Sequence, residues 1–138
     1  MIDKIGTLRW IKRTVDQIFA LVNSILTLQD TGGTLVSVVA GGEQDIYRVE
    51  TPMGVFKPLC LKIDTTVMAA GDSTTIRVYE RIRSGGGLVL SGTFVYAGVQ
   101  AIPMKTITLD PNRHGVQVTL DQTVGVTKNY VWAVMFEV

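Results

Sequence analysis

Apolar residues along this chain follow two different periods, and the change between them falls near residue 30. Leu8, Ile11, Val15, Ile18, Val22 and Ile25 are separated by steps of 3, 4, 3, 4 and 3 residues. Such spacing keeps one stripe on one side of a helix and lets helices pack lengthwise against partners. It predicts a helix over Thr7–Leu28, with Asp3 or Thr7 as N-terminal cap. Ile5, Phe19 and Leu26 fall beside the seam and Leu21 flanks its other side, so the apolar face is wide. A wide face suits a bundle of three or more helices, or a helix lying on a sheet. Isoleucine at the second seam position (Ile11, Ile18, Ile25) disfavours parallel dimers, and a trimer is the favoured state.

Asp30-Thr31-Gly32-Gly33 is expected to end the helix, with Gly32 or Gly33 taking the left-handed conformation of a helix C-terminus. Beyond this expected hinge at residues 31–33 the period drops to 2. Candidate strands are Leu35–Ala40, Gln44–Val49, Val55–Ile63, Thr74–Ile82, Leu88–Tyr96, Lys105–Leu109, Gly115–Leu120 and Asn129–Val138. Turn signals separate them at Gly41-Gly42, Thr51-Pro52, Ala70-Gly71-Asp72, Ser84 to Gly87, Asp110-Pro111-Asn112 and Val124-Gly125. Eight short strands at this spacing indicate an antiparallel β-sandwich, with the eight-stranded jelly roll the leading topology. An immunoglobulin-like sandwich lacks its paired cysteines. The expected organisation is an N-terminal helix (1–30), a glycine hinge (31–33) and a β-sandwich (34–138) in a mainly β chain. Alternation places Ile76, Val78, Val116, Val118, Val131 and Ala133 between the sheets.

Composition sharpens the picture. In 138 residues, 46% are hydrophobic and 18% charged, with a mean hydropathy of +0.30. A small monomer ordinarily covers itself with more charge, so surplus apolar surface points to subunit contacts. The longest weakly charged stretch, Gln17 to Gln29, is too short to span a bilayer. Basic residues before Ile18–Leu28 give the outline of a secretory leader. The amphipathic period, Asn23 and the lack of an A-x-A-like cleavage site argue against one. A net charge of +1 leaves no basic face for general nucleic-acid binding. Lys4, Arg9, Lys12 and Arg13 against Asp3 and Asp16 make the helix locally basic, as a solvated outer face would be. Cys60, the sole cysteine, reads as a small buried residue and fits a reducing compartment.

Candidate chemistry is sparse. His114 is the sole histidine and sits in the Pro111–Gly115 turn with no local catalytic partner. One histidine and one cysteine cannot close a zinc site. Asp64, Asp72, Asp110 and Asp121 fall at expected strand ends, where carboxylates can converge on calcium, but turn formation explains each more simply. Glu43, Glu50 and Glu80 are the candidates for a glycosidase-type pair. Gly85-Gly86-Gly87 lacks the lysine and the strand-to-helix setting of a phosphate loop. Trp10, Trp132 and the tyrosines, Tyr79 and Tyr96 among them, offer a sugar platform or core aromatics. No enzyme activity, cofactor or metal is expected.

A helix, a glycine-rich connection and a closely turned sandwich containing Leu61-Lys62-Ile63-Asp64, Thr75 to Ile82 (TIRVYERI) and Gly115 to Gly125 (GVQVTLDQTVG) resemble small virion structural proteins. These are the capsid decoration, minor capsid and fibre-type proteins of phages and archaeal viruses. The resemblance implies a structural part of a virion, assembled in the host cytoplasm, whose partners are further copies of the chain and other virion proteins. Two alternatives differ in partner. One is a carbohydrate- or receptor-binding module using the Arg83–Gly87 or Tyr96–Pro103 loops at one end of the sandwich. The other is a membrane-surface protein whose basic helix lies in the interface through Trp10 and Phe19.

Overall fold

In the computed structural model, residues 4–25, 28–50 and 57–137 are described, with side chains for all of these except 22–25. One helix, α1 (Lys4–Ile25), precedes eight strands: β1 (Leu28–Val36), β2 (Gln44–Val49), β3 (Lys57–Asp64), β4 (Ser73–Arg81), β5 (Leu88–Ala97), β6 (Met104–Thr108), β7 (Val116–Val124) and β8 (Asn129–Glu137). Strand β4 pairs with β5, β3 with β6, β2 with β7 and β1 with β8, all antiparallel. The chain is thus one long antiparallel ribbon with its bend between β4 and β5. Rolling that ribbon brings β8 beside β3 and β7 beside β4, giving two four-stranded sheets ordered β1-β8-β3-β6 and β2-β7-β4-β5. This is the jelly-roll arrangement.

Each sheet turns alternate residues inward, and register brings them face to face. Leu61 lies opposite both Val134 and Ile107 in the first sheet; in the second, Ile76 lies opposite Leu120 and Val78 opposite Val118. With Ile46, Ile63, Val116 and Tyr130 these fill the space between the sheets. The fully buried Tyr130 hydroxyl meets Thr74 Oγ1 at 2.8 Å, a hydrogen bond from one sheet to the other.

Three sequence expectations are corrected here. Val131 and Ala133 do not fill the core: Val131 is 56% exposed, and the inward residues of β8 are Tyr130, Trp132 and Val134. From Tyr130 to Phe136 every residue is apolar, so alternation alone cannot choose between the faces. Residues 31–33 are not a hinge. Gly32 and Gly33 are extended within β1, paired with Ala133 and Trp132, so the sandwich begins at Leu28 rather than residue 34. The described helix runs from Lys4 to Ile25 with Leu28 already in β1, and Thr7 lies inside the helix rather than capping it. A Cβ at Gly32 would overlap the Trp132 carbonyl oxygen, so the glycine serves close approach of two strands rather than a chain reversal. Asp3, Leu26, Thr51-Pro52, Val55 and Val138, named in the expected cap, helix, turn and strands, lie outside the described residues.

The connections β1–β2, β3–β4, β5–β6 and β7–β8 meet at one end of the sandwich, held by a buried polar cluster. Asp72 Oδ2 accepts the Ala69 amide at 2.6 Å and pairs with Lys128 Nζ at 3.3 Å. Ser37 exchanges backbone and side-chain bonds with Lys128, both 2.8 Å, and its hydroxyl donates to Gln122. Gln122, fully buried, donates to the Val126 carbonyl at 2.7 Å, while its own carbonyl accepts the Ala40 amide at 2.9 Å. Gly125 has φ +115°, and a Cβ there would strike the Asp72 carboxylate.

Burial separates two valines that share a strand-like setting. Val118→Ala should destabilise by about 1–3 kcal/mol through a cavity between the sheets, and Val118→Asp should abolish cooperative folding by burying an unpaired charge. Val131→Ala should stay within about 0.5 kcal/mol of wild type. Denaturant melts of the three variants check this; equal losses at Val118 and Val131 would contradict the inward phase of β8.

Candidate assembly surfaces

Helix α1 carries its apolar stripe into solvent. Every described side chain on it is exposed except the half-buried Thr14, whose hydroxyl bonds back to the Trp10 carbonyl at 3.0 Å. The seam residues Leu8, Ile11, Val15 and Ile18 are 66%, 46%, 41% and 55% exposed, and Phe19 beside them 63%. The side chains of Val22 and Ile25 lie outside the described residues. On the polar side Lys12 Nζ meets Asp16 Oδ2 at 2.8 Å, an i,i+4 pair that supports the helix without hiding the stripe. The structure therefore does not bury the described seam on its own sandwich, one of the two settings that a wide apolar face suits.

The outer face of the β2-β7-β4 region is polar and tightly bonded. Glu43, just before β2, accepts Arg77 Nη1 at 2.9 Å, the Tyr79 hydroxyl at 2.8 Å and Thr119 Oγ1 at 2.7 Å; Arg77 also pairs with Asp121 at 3.5 Å. Burial works to raise the Glu43 pKa, but the bonds from Thr119 and Tyr79 and the Arg77 charge outweigh it and hold the carboxyl below its ordinary value. For Asp72 the Ala69 amide is the strongest influence and lowers the pKa. Burial opposes it and Lys128 reinforces it, leaving this carboxyl low as well. Sequence reading missed the Glu43 cluster. Its signal was the outward phase of Arg77, Tyr79, Thr119 and Asp121, but only the β4–β7 register puts them side by side.

The remaining candidates are dispersed. His114 sits in the β6–β7 turn, where Asn112 Oδ1 accepts the His114 and Gly115 amides at 2.7 and 3.0 Å. Cys60 is half-buried on the outer side of β3 opposite Met135, not in the core, because the inward Leu61 beside it leaves it in the opposite phase. Asp64, the last residue of β3, accepts the Thr66 amide of the following turn at 2.8 Å; Asp121 lies within β7 rather than at a strand end. Among the described residues no three His, Cys, Asp or Glu side chains gather to hold a metal ion. Glu50 is drawn to Arg48 and Arg81 rather than to the partners of Glu43, and Gly86 closes a turn on the Arg83 carbonyl at 3.1 Å. The Arg83–Gly87 and Tyr96–Pro103 loops are separated by the length of β5, so they occupy opposite ends rather than one binding end. No described helix is long and apolar enough to cross a membrane.

No protein-family model and no curated protein matches the chain. Among solved structures the fold is similar to part of a chain in a structure of the infectious bursal disease virus Gx strain. The TM-score is 0.41 with 8% identity, over 83% of this chain and 32% of that chain. The chain thus spans about a third of the length of that viral chain.

Because Glu43 and Asp72 have folded pKa values below their unfolded ones, their stabilisation is complete above the unfolded values, about 4. It is lost as pH falls through the folded values. Thermal melts between about pH 3 and 7 should therefore show the Tm falling in acid, with Glu43→Gln lowering Tm at neutral pH and the gap to wild type narrowing on acidification. A gap that widens in acid would contradict the charge-assisted network.

Proposed function

We propose that this chain is a non-enzymatic structural protein of a virus particle, a capsid, decoration or minor capsid component, that associates with further copies of itself through α1. The observation that carries this reading is the exposed seam of Leu8, Ile11, Val15 and Ile18. At about 1.5–3 kcal/mol for each large aliphatic fully buried, less the ordering cost, the six seam positions of the sequence offer about 5–10 kcal/mol. That equals a whole domain's stability, so leaving the stripe in water is expensive and covering it with like helices is a strong drive. The step pattern with isoleucine at alternate seam positions favours three helices. The jelly roll supports the virion part of the reading because it is a recurrent building block of viral capsids, an analogy of fold. The reading gives His114 and Cys60 no catalytic role and calls for no cofactor.

Sedimentation equilibrium tests it. Wild type should sediment as a trimer or larger, and Ile11→Asp/Ile18→Asp should lose the helix-joined species while its sandwich melts as in wild type. A wild type that is monomeric at all concentrations, or a double variant with unchanged mass, overturns self-association through α1. In the same preparations His114→Ala and Cys60→Ala should leave the assembled mass unaltered.

A further inference from the structure

Two open sheets leave four edge strands, and three of these carry the features that keep an edge from pairing. Strand β1 holds Asp30, β2 is six residues long with Asp45, Arg48 and a bulge, and β6 is five residues long with Lys105. Strand β5 is different. Its ten residues, LVLSGTFVYA, include no charge and no proline, and its one irregularity, at Ser91, precedes the regular stretch 92–97. The Gly98 amide donates to the Asp72 carbonyl at 2.8 Å, and the Arg81 amide to the Gly115 carbonyl at 3.0 Å. Antiparallel alternation therefore turns residues 92, 94 and 96 toward β4, while Thr93, Val95 and Ala97 aim their amides and carbonyls away from the sheet. The Gln100 side chain takes the Ala97 carbonyl at 2.9 Å. Thr93 and Val95 keep both backbone groups turned away from every described strand. We infer that a second copy of the chain pairs here, β5 against β5 about a twofold axis at Phe94, joining the two β2-β7-β4-β5 sheets into one.

The open groups set what kind of partner fits, and the sequence of β5 makes it fit itself. A row of alternating amides and carbonyls is matched by another extended backbone. Centred on Phe94, the pairing sets Thr93 of each copy opposite Val95 of the other, so every open group finds a partner. Moving the centre one residue either way would call on the Ala97 carbonyl, already taken, or on Ser91 at the irregularity. The same register puts β-branched side chains together on the outer face, where Thr93 and Val95 are exposed, Val95 by 63%. On the inner face it sets Phe94, already half-buried against the core, opposite its copy. No charge on either strand meets its like. Thr108 and Asp110 share a cleft with Gly92 and Phe94, so β5 lies over β6. Strand β1, which follows α1, edges the other side of the sandwich, so the helix is attached away from this contact. With helices joined as proposed above, each chain has two distinct contacts, enough for a layer or shell rather than an isolated oligomer. That consequence rests on the α1 reading; the edge contact does not.

Sedimentation equilibrium of the full-length Ile11→Asp/Ile18→Asp chain isolates the edge from the helix. This chain should form a concentration-dependent dimer. Adding Val95→Pro should leave a monomer with an unaltered thermal melt, because the Val95 amide faces away from β4 and is not needed within the sheet. Adding Thr93→Lys/Val95→Lys sets like charges opposite each other across the axis and should also give a monomer. Adding Thr93→Lys/Val95→Glu instead sets opposite charges there and should restore the dimer. Should Val95→Pro unfold the sandwich, the two charge variants, altered on the solvent face, decide. A helix variant that is monomeric at every concentration overturns the inference. So does a dimer that the lysine pair leaves intact, or one that the lysine–glutamate pair fails to restore. If the helix variant keeps the mass of wild type and the lysine pair lowers it, the α1 reading fails while the edge contact stands.

Discussion

The pairing of the first strand with the last is the constraint on which the rest of the fold depends. Leu28–Val36 lies along Asn129–Glu137 without a break in register. Strand β8 is thereby fixed between β1 and β3, and its inward residues Tyr130, Trp132 and Val134 are held over the opposite sheet. Without that pair the ribbon could still bend at β4–β5, but the first sheet would lose an edge strand and Trp132 the glycine backbone beside it, since Gly33 lies against the indole. The close approach at Gly32 is what permits it. A side chain there would separate the two strands where the ribbon closes.

Apolar packing between the sheets supplies the stability, and the polar cluster at the tip supplies the direction. Hydrophobic contact is tolerant of sliding, whereas a fully satisfied buried network is not. Ser37, Asp72, Gln122 and Lys128 come from the connections and from β7, and the bonds of Ser37 with Gln122 and Lys128 and of Asp72 with Lys128 form only when distant parts of the chain have come together. Tyr130 and Thr74 add a second tie across the layers. A sandwich assembled out of register would strand a carboxylate and an amide in an apolar interior.

Much of this architecture was legible in the sequence because turn chemistry and alternation agree over long stretches. Strand β2 matches its expected limits of Gln44–Val49, and β4 and β5 differ from expectation by about one residue. What failed did so for identifiable reasons. Consecutive glycines after a helical pattern look like a terminator, and only the partner strand shows that Gly32 and Gly33 are extended. In β8, where both faces are apolar, a period of 2 carries no phase. The Glu43 cluster joins residues 34, 36 and 76 positions apart, a distance over which local pattern is silent. The helical seam, being local, needed no such help.

Closure of the first strand by the last also fixes the order of events during synthesis. Residue 28 must wait for residue 137, so the first sheet cannot close while the ribosome is still producing β8. Long-range pairings of this kind are the slow part of folding. Helix α1 belongs to neither sheet and is the first of these elements to emerge. Its stripe is thus made while the sandwich is still an open ribbon. Under the self-association proposed above, contact through the helix does not wait for the pairing that closes the first sheet.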